Sequence, residues 1–159
     1  MNIKLEREGF RMPKHRYPLE CNIAQTLNLV GDRWTMLVLH EVLAGRQTFN
    51  AIKKELTTIS ANVLSDRLKH LEELSLIESS LYSDHPPRHS YQPTESGQAF
   101  SVVFDAMLLW GRDHLNECYK KLVHQPCDAE VEIGYYCPSC DTKVPSEETK
   151  PVFLEPQHT

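Results

Sequence analysis

Four side chains near the C-terminus have types and a spacing that suit a metal ion. His124 and Cys127 stand three positions apart, and Cys137 and Cys140 repeat that spacing after nine intervening residues. Imidazole and thiolate are the donors of structural Zn²⁺ sites, and four protein ligands leave no open position for a catalytic water. The pattern predicts one structural zinc per chain, which would fold a segment too short and too acidic to make its own core. A flexible acidic tail with reduced thiols is the alternative.

The chain has five cysteines, including Cys21 and Cys118. Cys21 opens the first predicted helix, where unpaired amides and the positive end of the helix dipole favour a thiolate, which would suit a regulatory thiol. The alternative is a small buried hydrophobe that anchors the helix. The first residues lack the apolar run of an export signal and no stretch is long enough to span a membrane, which predicts a soluble, cytoplasmic protein without a disulfide framework.

A third group of polar side chains follows Ser60, which is placed to cap a helix running to about Leu74. The leucines of this helix, Leu64, Leu68 and Leu71, recur at helical spacing and form its inward side. At 100° per residue the opposite side carries hydrogen-bonding groups. These groups are Asn62, Ser65, Asp66 and Lys69.

The remaining elements must position these groups. A helix from Cys21 carries Ile23, Ala24, Leu27 and Val30 on one side and ends at Gly31. A second helix is capped by Asp32, contains Trp34 as a core residue and stops at Gly45, and a short third helix follows Thr48.

Strand-like alternation over 77–82, a turn over 83–88 and a return over 89–92 predict a β-hairpin. One helix of nearly thirty residues is expected from Thr94 to about Leu122. It is too long for one small core, so its distal apolar residues predict a second copy of the chain as partner.

Helix, turn, helix and hairpin in this order predict a mainly α winged helix-turn-helix with a small β-hairpin and a long C-terminal dimerisation helix. The helix after Ser60 would enter the major groove of double-stranded DNA, with its first amides facing a phosphate. Asn62, Ser65 and Lys69 would reach base edges or backbone oxygens, and Arg88 would meet the minor groove. Arg67 has two interpretations, a phosphate clamp and an intramolecular ion pair.

Several short motifs in this order resemble the HxlR-type winged helix-turn-helix regulators over residues 21–118. They are Cys21, Gly31-Asp-Arg-Trp34-Thr, Ser60 to Leu71, Pro86-Pro-Arg88 with Tyr91, and Thr94-Glu-Ser-Gly97. The resemblance implies a bacterial repressor or activator of MarR-like architecture, dimeric through its terminal helices and without enzymatic activity. It also implies an oxidant or small-molecule effector sensed at Cys21. Residues 1–20 are then an N-terminal arm and 119–159 a cysteine-bearing acidic tail, where the family pattern says least.

Charge distribution qualifies the DNA-binding prediction. The net charge is −5, but residues 124–159 contain seven acidic and two basic side chains, which leaves the rest of the chain neutral. A winged-helix protein-interaction module is therefore a rival function, against which stand the basic groups of the helix-turn-helix and wing, Lys53, Lys54, Arg67, Lys69 and Arg88. A thiol oxidoreductase at Cys137 and Cys140 is less favoured, because no thioredoxin-like strand-helix pattern precedes them.

Overall fold

The computed structural model describes residues 17–152 and divides the chain into two compact units, Met1–Phe104 and Asp105–Thr159. Most of the N-terminal arm predicted at residues 1–20 lies outside the described residues, which begin at Tyr17. Within the described range, no helix is long and apolar enough to cross a membrane. The boundaries assigned from the sequence at residues 20 and 118 stay a prediction.

The first unit contains four helices followed by a hairpin. The helices are α1 (Asn22–Val30), α2 (Thr35–Leu43), α3 (Phe49–Glu55) and α4 (Ala61–Glu73). The strands β1 (Ile77–Asp84) and β2 (Pro87–Pro93) form the antiparallel hairpin, and a one-turn helix α5 (Glu95–Gln98) follows. This order confirms the predicted winged helix-turn-helix.

Side-chain caps set the starts of α3 and α4, as the sequence predicted. The hydroxyls of Thr48 and Ser60 accept hydrogen bonds from amides three residues later, at 3.3 and 3.2 Å. Each such cap stabilises its helix by about 1 kcal/mol. The prediction that Asp32 caps α2 is wrong in position, because the cap residue is Trp34 and has no side-chain cap. Asp32 instead accepts hydrogen bonds from the amides of Trp34 and Thr35 just before the helix.

The core of this unit lies between α2 and α4. Its fully buried side chains come from α2, α3 and α4, from the end of α1, from the start of β1 and from the turns on either side of α4. They are Val30, Val38, Leu39, Val42, Ile52, Ile59, Leu64, Leu68, Leu71, Leu74, Leu76 and Ile77. The inward position predicted for the three leucines of α4 is confirmed. Trp34, predicted to be core, is partly buried and packs against this cluster.

The predicted inward side of α1 is wrong in part. Ala24 and Val30 are buried, but Ile23 is 72% and Leu27 is 44% exposed. The third buried residue of α1 is Asn28, which lies between Ala24 and Val30 in the sequence. The Asn28 side chain accepts a hydrogen bond from the Tyr17 amide at 2.8 Å and donates one to the Tyr17 carbonyl at 3.1 Å. This two-way bond to the preceding segment satisfies the amide that α1 buries.

The hairpin is longer than the sequence predicted. Its strands extend to Asp84 and resume at Pro87, which leaves His85 and Pro86 at the tip instead of a turn over 83–88. The Tyr91 amide donates to the Gln47 carbonyl at 2.7 Å, and Thr48 forms a bridge with Ser90. These bonds join the wing to the start of α3, so the wing and the helix-turn-helix form one body.

The single long C-terminal helix was a wrong prediction. The chain forms α5, a break at Ala99 and Phe100, and then α6 (Ser101–His114). The last bond of helical type runs from the Leu115 amide to the Gly111 carbonyl at 3.0 Å. Leu122, predicted to be the end of the helix, instead accepts a hydrogen bond from the Val131 amide at 3.1 Å.

The second unit contains most of α6 and a set of short strands. These are β3 (Val123–His124) paired with β4 (Ala129–Glu130), and β5 (Tyr135–Cys137) paired with β6 (Thr142–Val144), followed by a 3₁₀ turn at Ser146–Glu148. Leu109 of α6 is buried, but none of residues 115–152 is. The two hairpins therefore stand without a hydrophobic core of their own.

Candidate nucleic-acid interface

Helix α4 has two distinct sides. Its leucines at 64, 68 and 71 are at most 1% exposed, whereas Asn62, Ser65, Asp66 and Lys69 are all exposed. The buried leucines fix the rotation of the helix, so the polar side faces outward in a defined orientation. An α-helix displaying such groups fits the width of a DNA major groove.

The start of α4 is suited to an anion. The Ser60 hydroxyl is used by the Val63 amide, but the amides of Ala61 and Asn62 have no acceptor within the helix, as at any helix start. The first turn contains no acidic residue that would repel a phosphate. Phosphate oxygens are acceptors that these amides and the helix dipole favour.

Of the two roles that the sequence left open for Arg67, a phosphate clamp and an intramolecular ion pair, the structure shows the ion pair. Its guanidinium donates to Asp32 at 2.9 Å and ties α4 to the start of α2. Burial raises the pKa of Asp32, but hydrogen bonds from Thr35 and Trp34 and the charge of Arg67 outweigh it and hold that pKa below its ordinary value. The carboxylate is therefore an ionised anchor between two helices of the site.

The cations at the edge of this surface are held more loosely. Lys69 lies 3.8 Å from Glu73 one turn later, and its side chain is 78% exposed. Arg88 is exposed on β2, opposite Ser83 and one residue from the hairpin tip, and the described residues offer it no ion pair. Both are free to contact phosphates at little cost in broken interactions.

Two hydroxyl residues of this surface were missed in the sequence. Thr57 and Thr58 are exposed in the turn between α3 and α4, and Lys53 reaches that turn by donating to the Thr57 carbonyl at 3.3 Å. The signal was present, since hydroxyl residues in the turn before a predicted reading helix are placed to donate to a DNA backbone.

Cys21 is exposed at the start of α1, where it has extended backbone angles and its carbonyl accepts from the Gln25 amide at 2.9 Å. The interpretation as a buried anchor is therefore wrong. Exposure leaves the thiol open to a reagent in solution.

The four residues proposed as metal ligands lie as two pairs in the second unit. His124 Nδ1 is 3.2 Å from Cys127 Sγ, and Cys137 interacts with both the backbone and the side chain of Cys140. Within residues 17–152 no three potential ligands come together as one cluster.

Comparison with known proteins agrees with this geometry. The family profile described as HxlR-like helix-turn-helix matches residues 29–119. The chain belongs to this family. Members of the HxlR-like family are DNA-binding transcription regulators, and the described surface of α4 is the part of this chain suited to that activity.

Individual relatives extend the likeness. An HTH-type transcriptional regulator of Mycobacterium tuberculosis is 31% identical over 86% of this chain and 87% of its own length. The solved structure of a Pseudomonas aeruginosa protein described as a transcription factor is 31% identical, with a TM-score of 0.64 over 87% of this chain and 95% of that one. Because residues 1–104 are less than two thirds of the chain, that match extends into the second unit.

A third relative carries a redox description. The reduced form of the transcriptional regulator YodB from Bacillus subtilis is 29% identical, with a TM-score of 0.52 over 62% of this chain and 97% of that one. The match therefore covers a smaller share of this chain than the Pseudomonas aeruginosa structure does.

Proposed function

We propose that this HxlR-like protein is a sequence-specific regulator that binds, as a homodimer, an inverted-repeat operator in double-stranded DNA. The observation that carries the proposal is that α4 buries its leucines and exposes hydrogen-bonding side chains on the opposite side. Helix α4 would occupy the major groove and the β1–β2 wing the adjacent minor groove. Its place of action would be the cytoplasm, and we assign it no enzymatic reaction.

The exposed residues of α4 divide by chemistry. Asn62 can make a bidentate contact with adenine and Ser65 can bond to several bases, so both would read sequence. Asp66 can accept from the amino group of cytosine. Lys69 and Arg88 would contact phosphates or the minor groove, and Ser60 would act by holding the helix start in shape.

Dimerisation rests on α6 and not on a longer helix. Met107, Trp110 and Leu115 are 56, 60 and 58% exposed, which is unusual for large apolar side chains along one segment of a monomer. A second copy packed two-fold against this segment would cover them. Two half-sites about one helical turn apart, or a multiple of it, then follow.

An effector would act through Cys21. The thiol is exposed at a helix start, and a relative is known in a form described as reduced. An oxidant or an electrophilic small molecule that modifies Cys21 would alter α1 and the segment that Asn28 holds, and through them affinity for DNA. Operator binding by wild type and Cys21→Ser, before and after mild peroxide or quinone treatment, tests this, and identical responses would exclude Cys21 as the sensor.

The DNA contacts are tested on a duplex selected from a random pool by the purified protein. Asn62→Ala and Ser65→Ala should each lose base preference, by a factor corresponding to about 1–3 kcal/mol at the positions read. Lys69→Ala and Arg88→Ala should weaken all duplexes evenly. Gln98→Ala and Lys143→Ala, which remove an exposed amide and an exposed lysine that are not part of α4, are the matched controls.

The competing functions give different results in the same experiment. A winged-helix protein-interaction module would select no duplex sequence, and Lys69→Ala would behave like Lys143→Ala. A thiol oxidoreductase at Cys137 and Cys140 would turn over a dithiol substrate in a chemical assay. If all four surface substitutions, at Asn62, Ser65, Lys69 and Arg88, leave affinity unchanged, the groove assignment is wrong.

A further inference from the structure

The two short hairpins of the second unit repeat one turn geometry. In each hairpin a histidine or cysteine ends the first strand, a cysteine follows three residues later, and the next residue is an aspartate in the left-handed region. The φ angles are 55° at Asp128 and 53° at Asp141. Non-glycine residues rarely adopt this region, so its appearance after both pairs indicates a common local design.

This turn brings the two ligands of each pair together. In the first turn the amides of Cys127 and Asp128 both donate to the His124 carbonyl, at 3.1 and 2.8 Å, which folds the chain back. His124 Nδ1 thereby comes within 3.2 Å of Cys127 Sγ. In the second turn Cys137 interacts with both the backbone and the side chain of Cys140, so the two thiols lie together.

The hairpins need a further source of order. No side chain in residues 115–152 is buried, and only Leu122, Val131, Cys137 and Val144 are half-buried. Strands of two or three residues without a core are not stable by themselves. Small segments of this kind are ordered by a metal ion or by disulfides, and all five cysteines are free thiols.

We propose that His124, Cys127, Cys137 and Cys140 bind one structural Zn²⁺ ion per chain in a tetrahedral Cys₃His site formed by the two turns. Each turn supplies half of the ligand set, and among the described residues the halves are separate. Binding of one ion would bring the two halves together. Residues 131–134 connect them, and at Gly134 no atom lies within 4 Å of the position that a Cβ would take. Thiolates and imidazole select zinc over the harder Mg²⁺ or Ca²⁺.

The role of such an ion would be structural. Four protein ligands close the coordination sphere, so no position remains for an activated water. Because the ligands must be deprotonated, metal affinity would fall as the pH is lowered, and binding of the ion would supply the stability that burial does not. The site lies wholly within the second unit and is independent of the contacts proposed for α4.

Metal content of the untagged full-length protein, purified under reducing, chelator-free conditions, is the first test. The wild-type protein should contain about one zinc ion per chain, as measured by inductively coupled plasma mass spectrometry. Cys137→Ser and Cys140→Ser should lose most of it. Cys118→Ser is the matched control, because Cys118 lies in the same unit outside both turns and should keep the full content.

Co²⁺ replacement provides a readout for variants that fold poorly. The wild-type protein, stripped by a chelator and refilled with Co²⁺, should show the visible absorption of a tetrahedral thiolate site, and His124→Ala and Cys127→Ser should each shift or weaken it. Half an equivalent of zinc would instead indicate an ion shared between chains and overturn the one-site assignment. Absence of zinc, or equal loss in Cys118→Ser and Cys140→Ser, would refute the proposal, whatever the result for DNA binding.

Discussion

The ion pair between Arg67 and Asp32 predicts that Arg67→Ala lowers stability without removing a DNA contact. At 2.9 Å the two unit charges attract by about 1.4 kcal/mol in a water-like dielectric. The side chains are 29 and 38% exposed, so solvent screening and the entropy of holding Arg67 reduce the net value to about 1 kcal/mol or less. Asp32 keeps its bonds to Thr35 and the Trp34 amide, so the variant leaves no orphaned carboxylate.

Urea unfolding measures the first half of this prediction. Arg67→Ala, Asp32→Asn and the double variant form a cycle whose coupling free energy should be about 0.5–1 kcal/mol. A coupling near zero would show that the pair contributes nothing to the fold.

Salt titration of DNA binding measures the second half. Removal of one cation that binds a phosphate reduces the slope of log affinity against log salt by about one. Lys69→Ala should show that reduction and Arg67→Ala should not, because its guanidinium is engaged with Asp32. An equal reduction in both variants would assign Arg67 to a phosphate and refute the reasoning.

Three further predictions follow from the packing and the charges. Gly97→Ala should destabilise the protein by about 1–3 kcal/mol in urea unfolding, since its Cβ would lie 1.9 Å from the Leu76 carbonyl oxygen; Gly111→Ala, which meets only a flexible leucine side chain at 3.3 Å, should not. Because the folded-state pKa of Asp32 is lowered, its contribution should be present above its unfolded-state pKa and be lost as pH falls through the folded value, and stability curves of Asp32→Asn should lack that loss. Trp110→Glu should shift the protein from dimer to monomer in sedimentation, and a monomeric wild type at micromolar concentration would contradict the proposed dimer.

The sequence predicts most of the first unit because its signals there are local. Thr48 and Ser60 cap their helices within three residues, and the leucine spacing of α4 determines at once the buried side and the exposed polar side. The exposed polar side of α4, which we propose contacts DNA, is therefore a consequence of the leucine spacing. Residues on it were therefore predictable without knowledge of their distant neighbours.

The wrong predictions involve partners that lie more than two helical turns apart in the sequence. The buried position of Asn28 depends on the Tyr17 backbone, and the end of α6 is followed by pairing of Leu122 with Val131, which helical periodicity does not reveal. The choice between two roles for Arg67 was open for the same reason, because its partner lies 35 residues away.

Protection of genomic DNA by the purified protein tests the central claim most directly. At near-physiological salt, specific binding should protect a small number of discrete sites, each an inverted repeat with half-sites about one helical turn or a multiple apart. The Asn62→Ala protein should lose those sites selectively, while Gln98→Ala should retain them. Protection without sequence preference, or the same sites protected equally by the Asn62→Ala variant, would contradict the assignment of α4 as the element that reads DNA.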